Sequence, residues 1–133
     1  MAFPADASAV THLLVVSNLE ASKAWYLDVL GASLYGEYGG TSVVLELLEN
    51  WLLLVTRGEP TPDKPAVSFE APTDPDRVSS QLIFRVPDCR SAYEELRGRG
   101  AQFLAPPLDR GYEVRAFFRD PDGHLYEISE VGG

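Results

Sequence analysis

The sequence predicts an α+β protein built from two similar βαβββ modules. A strand–helix–glycine unit occurs twice, the second copy 70 residues after the first, counted from Asn18 to Asp88. Each copy is followed by further short runs of strand-forming residues. Along several of these runs polarity alternates with a period of two, as side chains do on the two faces of a strand.

The first copy opens on residues 13–18, Leu-Leu-Val-Val-Ser-Asn, a strand that stops at a turn or cap residue. Residues 21–30 read as a helix, because Trp25 and Val29, and Tyr26 and Leu30, are spaced i, i+4. Gly31 suits the left-handed position that ends it. Strands are predicted at 33–38, 42–48 and 51–56, with Gly39-Gly40 and Glu49-Asn50 as turns. The stretch 57–80 carries five prolines, Pro60, Pro62, Pro65, Pro72 and Pro75, and has the length of a linker or lid, with room for a short strand at 67–70. The second copy runs 82–88 as strand, ends at Asp88, continues as a helix over 89–99 and closes at Gly100. Strands follow at 102–104, 113–119 and 124–130, the last two separated by the turn Asp120-Pro-Asp-Gly123. The whole chain, 1–133, is therefore expected to be one domain, with module one at about 9–57, a proline-rich linker at about 58–79 and module two at about 80–131.

With 133 residues, 45% of them hydrophobic, the chain is long enough to bury one core. A formal net charge of −9 argues against nucleic acid and anionic membranes as partners, since both need a basic footprint. It would steer cationic ligands inward, although acidic surfaces serve solubility more often. A single cysteine, Cys89, leaves no internal disulfide. The first ten residues lack the basic start and apolar run of a signal peptide, and no apolar stretch is long enough to span a bilayer, so a cytoplasmic location is expected.

Strand alternation divides the second module into an apolar face (Leu82, Phe84, Val86; Val114, Ala116, Phe118; Tyr126, Ile128) and a mixed face (Gln81, Ile83, Arg85; Glu113, Arg115, Phe117; Leu125, Glu127, Ser129). One wet face of an antiparallel sheet accounts for that pattern. The first module differs. Its strands are apolar on both faces, with Leu13 and Val15 against Leu14 and Val16, and Trp51, Leu53 and Val55 against Leu52 and Leu54. The second face must also be covered, by sheet curl, a dimer partner or a ligand.

The run from Asn18 to Gly31, Asn-Leu-Glu-Ala-Ser-Lys-Ala-Trp-Tyr-Leu-Asp-Val-Leu-Gly, resembles the D-L-x-x-S-x-x-F-Y-x-x-x-L-G helix of the vicinal-oxygen-chelate superfamily, which includes glyoxalases, bleomycin-resistance proteins and extradiol dioxygenases. The run from Arg115 to Glu127, Arg-Ala-Phe-Phe-Arg-Asp-Pro-Asp-Gly-His-Leu-Tyr-Glu, resembles its R-x-x-F-x-D-P-D-G-x-x-x-E ending. The resemblance covers about 11–130 and implies a curled mixed or antiparallel sheet with helices on its outer face, the glyoxalase/bleomycin-resistance fold. It is weaker for activity, since one fold hosts many functions.

In metal-dependent members the ligands lie on the first strand of each half and at the glutamate after D-P-D-G. Carried over, these positions are Thr11, Gln81 and Glu127. The usual histidine is displaced by one residue, to His12, and a one-residue slip turns a strand side chain to the opposite face. A bulge near residues 10–14 would rotate it back. An oxygen-only, singly charged set suits Mg²⁺ or Mn²⁺ loosely and is poor for Zn²⁺ or Fe²⁺, so no tight metal cofactor is expected, at most a weakly held divalent ion (Mg²⁺, Mn²⁺, Zn²⁺, Ni²⁺ or Fe²⁺). Glu46 lies in a string similar to the V-I-E-L of glyoxalase-I-like members, where the glutamate is a ligand. The longer string from Leu45 to Leu54 is more similar to L-E-L-x-x-x-W-L-x-L of fosfomycin-resistance transferases, where it is not, and a solvent-facing or hydrogen-bonded Glu46 is expected.

Arg115 and Arg119 flank Phe117. Arg119 is expected to pair with Asp120, Glu113 or Glu127, while Arg115 could grip a ligand carboxylate or phosphate. Trp51, Phe117 and Tyr112 are candidates for stacking on a planar ligand, and Gln81 and Arg85 for polar contacts, against the common alternative that strand aromatics are core. His124 is expected to be exposed, and Cys89 to pack rather than react. Two readings follow. One resembles the bleomycin-resistance branch: a metal-independent homodimer that sequesters a planar or cationic small molecule. The other is a divalent-metal-dependent lyase, isomerase, transferase or dioxygenase acting on a small oxygenated substrate, with Glu127 as the catalytic candidate.

Overall fold

The computed structural model describes residues 2–132. Among them are two helices and nine strands, an α+β architecture. The chain divides into two compact units, one running up to Leu27 together with Gly31–Ala71, the other comprising Asp28–Leu30 and the chain from Pro72 onward.

In the first unit, β1 (Thr11–Val15) leads to α1 (Leu19–Asp28), then β2 (Ser33–Tyr38), β3 (Ser42–Leu47) and β4 (Asn50–Val55). The sheet order is β1-β4-β3-β2. β1 runs parallel to β4, and the other pairs are antiparallel. Asn18 caps α1 by accepting the Ala21 N–H on Oδ1 at 3.0 Å. The helix starts two residues earlier than the apolar spacing alone placed it, because the cap fixes the start. One face of the sheet is closed: Leu14, Val43, Leu45, Leu52 and Leu54 are buried, as is Tyr26 of α1. Each such side chain contributes about 1.5–3 kcal/mol of apolar burial.

The second unit repeats this plan. β5 (Leu82–Arg85), α2 (Cys89–Gly98), β6 (Gln102–Phe103), β8 (Glu113–Arg119) and β9 (Leu125–Val131) give the order β5-β9-β8-β6, and β5 is parallel to β9. Asp88 caps α2, accepting the Ser91 N–H at 3.0 Å. An extra short strand, β7 (Leu108–Asp109), pairs with β8; nothing in the sequence pattern announced it. The closed face holds a run of aromatic contacts from Phe84 to Tyr126 to Phe118 to Phe103 to Tyr93, with centroids 4.6–5.7 Å apart.

Three local expectations change. The β3–β4 turn is made by Leu48 and Glu49, both at positive φ (51° and 62°), rather than by Glu49-Asn50, because the tight pairing of Leu47 with Asn50 leaves only two residues to reverse the chain. Within 57–80, Phe69 forms an isolated bridge with Gly58 and no strand develops. His124 is half-buried rather than exposed, since its N–H donates to the buried carboxylate of Asp120 at 2.8 Å.

Candidate functional site

The open face of the first unit is an apolar groove. Cross-strand register aligns Thr11, Trp51 and Glu46 in one row, and Leu13, Leu53 and Val44 in the next. Ser8, Ala9, Thr11, Tyr35, Val44, Trp51 and Leu53 line an open depression of about 520 Å³. That volume lies within the range of small-molecule sites. Trp51 and Tyr35 meet edge to face, with centroids 4.9 Å apart and planes at 87°. Tyr35 is 62% exposed, so its ring is accessible from solvent. Glu46 is exposed on the same face, beside Trp51 in register. The two-sided apolarity of these strands thus resolves into one closed face and one open, half-buried face.

The mixed face of the second unit is polar and connected. Glu127 is only 4% exposed, and its Oε1 accepts from Gln81 Nε2 at 3.1 Å. The Gln81 Oε1 is buried without a hydrogen-bond partner. Towards the opposite end of β9, the buried Ser129 hydroxyl donates to Glu113 Oε2 at 3.0 Å and accepts from Arg85 Nη1 at 2.8 Å. Arg115 pairs with Glu113 at 3.4 Å and lies over the Phe117 ring at 5.2 Å. Tyr112 is exposed, with the Arg110 guanidinium over its ring at 5.2 Å. Arg119 pairs with Asp76 at 2.7 Å, not with the acidic residues near it in sequence, because the proline-rich stretch brings Asp76 to it.

The metal positions carried over from the resemblance fall as follows. Thr11 lies in the first unit, and Gln81 and Glu127 in the second. The β1 register is unbroken from Thr11 to Val15, so no bulge turns His12: it pairs with Leu52 on the closed face. Among the described residues no group of three or more His, Cys, Asp or Glu side chains converges. Within the second unit the Glu127 carboxylate already accepts the Gln81 amide N–H, and one carboxylate with one amide beside it is a poor set for a tightly held transition metal. Cys89 is fully buried, and burial, with Glu130 beside it, pushes its thiol pKa up.

Sequence reasoning did not single out Tyr35, Glu113, Ser129 or Arg110 as functional. Glu113 and Ser129 did stand on the predicted mixed face, which was the available signal. Their convergence with Arg110 depends on strand register.

The model of the family described as the Glyoxalase/Bleomycin resistance protein/Dioxygenase superfamily matches residues 9–128. A lactoylglutathione lyase from Pseudomonas aeruginosa is 35% identical over 92 residues, 69% of this chain and 47% of that protein, so the chain spans about half the length of this curated relative. Among solved structures, a glyoxalase/bleomycin resistance protein/dioxygenase from Nocardioides is 27% identical, with a TM-score of 0.70 over 95% of this chain and 85% of that one. TnmS3, an antibiotic binding protein from Streptomyces sp. CB03234, is 20% identical, with a TM-score of 0.66 over 96% of this chain and 98% of that one.

Proposed function

The chain belongs to the Glyoxalase/Bleomycin resistance protein/Dioxygenase superfamily, and from that premise we propose that it binds and sequesters a planar or cationic small molecule without a tight catalytic metal. The observation that carries this reading is the open groove floored by Trp51 and edged by Tyr35, with the Glu46 carboxylate on the same face. Aromatic walls hold a flat ring system, and one carboxylate beside them favours a positive charge on it. The net charge of −9 adds long-range attraction. A structural neighbour described as an antibiotic binding protein supports a small-molecule ligand in general. Sequestration needs affinity and no reacting group.

Titration with proflavine, a planar cationic dye, tests the reading. Tryptophan quenching is expected to saturate at one dye per site. Trp51→Ala, followed through the dye's own fluorescence, should lose at least tenfold in affinity, about 1.4 kcal/mol. Glu46→Gln should lose severalfold and flatten the salt dependence. Equal binding by Trp51→Ala, or no binding by planar cations, would refute it.

A second reading, a divalent-metal-dependent lyase, isomerase, transferase or dioxygenase, is favoured by one feature: Glu127 is buried at the family's ligand position, and the unpartnered Gln81 Oε1 is on the residue it pairs with. These two oxygens would suit Mg²⁺ or Mn²⁺ better than Zn²⁺ or Fe²⁺. On this reading Glu127→Gln abolishes Mn²⁺ binding. On the preferred one it changes neither metal content nor, beyond about 1 kcal/mol, stability.

The two βαβββ units are read as the two modules of one domain, in a homodimer that covers part of the half-exposed apolar face, located in the cytoplasm. No described helix is long and apolar enough to cross a membrane. Sedimentation equilibrium tests the dimer; a monomer at high micromolar concentration contradicts it.

A further inference from the structure

We propose that the mixed face of the second unit carries a second binding site, built from Arg85, Arg110 and Arg115 around Glu113, for a doubly charged oxyanion of the phosphate-monoester kind. Nη1 atoms of all three guanidinium groups lie within 4.0 Å of the one carboxylate, at 4.0, 3.7 and 3.4 Å. Three cations share this one carboxylate within ion-pair distance, so the cluster holds more positive charge than its own anion cancels. Acidic residues outnumber Lys and Arg 20 to 11 in this chain, so ordinary surface pairing would favour surplus acid around each arginine, and here the balance is inverted. Such an excess favours an oxyanion with more than one negative charge, as a phosphate monoester carries near neutral pH.

The site is also built rather than incidental. The Glu113 side chain is 12% exposed and held from beneath by the fully buried Ser129 hydroxyl, which Arg85 also contacts. Arg110 and Arg115 lie over the rings of Tyr112 and Phe117, each 5.2 Å from the centroid, contacts that help hold the guanidinium groups in place. The three arginine side chains are 31–61% exposed, so an incoming anion reaches them from solvent. A guanidinium has five N–H donors in a fixed fork, more than Glu113 and Ser129 can take up, and oxyanions are the groups that match that fork. Glu113 then competes with the incoming anion for the three guanidinium groups, which Ser129 and the aromatic rings help to position.

Calorimetry with inorganic phosphate, at constant ionic strength set with chloride, tests the proposal on the full chain. One phosphate per chain is expected with millimolar affinity or better, at least tenfold tighter than acetate. Arg110→Gln and Arg85→Gln should each weaken it fivefold or more. Glu113→Gln, which keeps the shape and removes the opposing charge, should tighten it severalfold, an effect that a purely structural role for the cluster does not produce. Circular dichroism checks the fold of each variant, and the surface variant Arg110→Gln decides the matter if Glu113→Gln does not fold. Phosphate binding no tighter than acetate, or unchanged by Arg110→Gln, or weakened in a native-like Glu113→Gln, would overturn the proposal.

Discussion

Cys89 shows at the scale of one residue how position and environment can oppose each other. It sits at the first turn of α2, where a thiol pKa can fall, yet it is fully buried and its Sγ approaches the Ile128 carbonyl at 3.8 Å. Burial and the nearby Glu130 raise the pKa instead. The folded state therefore holds this proton more tightly than the unfolded chain does. The stabilisation is present below the ordinary thiol pKa and is lost as pH rises through the higher folded value. Native protein at neutral pH is expected to react with a thiol-specific disulfide reagent far more slowly than the denatured chain. Rapid stoichiometric labelling of the native protein would contradict this. Trp51 is the complementary case: its identity as a candidate was legible from sequence, but its partner Tyr35 was not. A β-bulge between Leu34 and Gly36 shifts the β2 register, and alternation does not cross a bulge.

Strand-and-helix patterning was the most legible layer. The caps at Asn18 and Asp88 and the glycines behind each helix act locally, so the sequence displays them directly, whereas the i, i+4 pairs overran α1, which stops at Asp28 before Val29 and Leu30. β7 was hidden because a two-residue strand has no period to read. The Asp120-to-Gly123 turn joining β8 to β9 was legible for the same local reason. Asp120 accepts the N–H groups of Asp122 and His124, and Gly123 sits at φ 94° with Pro75 packed over it. A Cβ at Gly123 would stand 2.9 Å from Pro75 Cβ in a left-handed conformation. Gly123→Ala should therefore cost about 1–3 kcal/mol, read as a lowered denaturation midpoint with an unchanged slope. A midpoint equal to that of the parent protein would show that the turn is not strained by a side chain.

At the scale of the molecule, the repeated strand order, the family membership and the chemistry of the open faces lead to one account. The first unit offers an aromatic groove with a carboxylate, and the second a network in which carboxylates are already engaged by an amide or by arginines. The two carboxylate networks were the least legible part of the candidate site, because they join residues brought together by pairing β5, β8 and β9. The central claim is that ligand binding here does not require a metal ion. Its most direct test is calorimetric titration of proflavine into protein stripped with EDTA and into the same protein supplied with Mn²⁺. The account predicts the same stoichiometry and a dissociation constant equal within about twofold, or 0.4 kcal/mol. Binding that appears only with Mn²⁺ would contradict it and assign the site to the metal-dependent branch of the family.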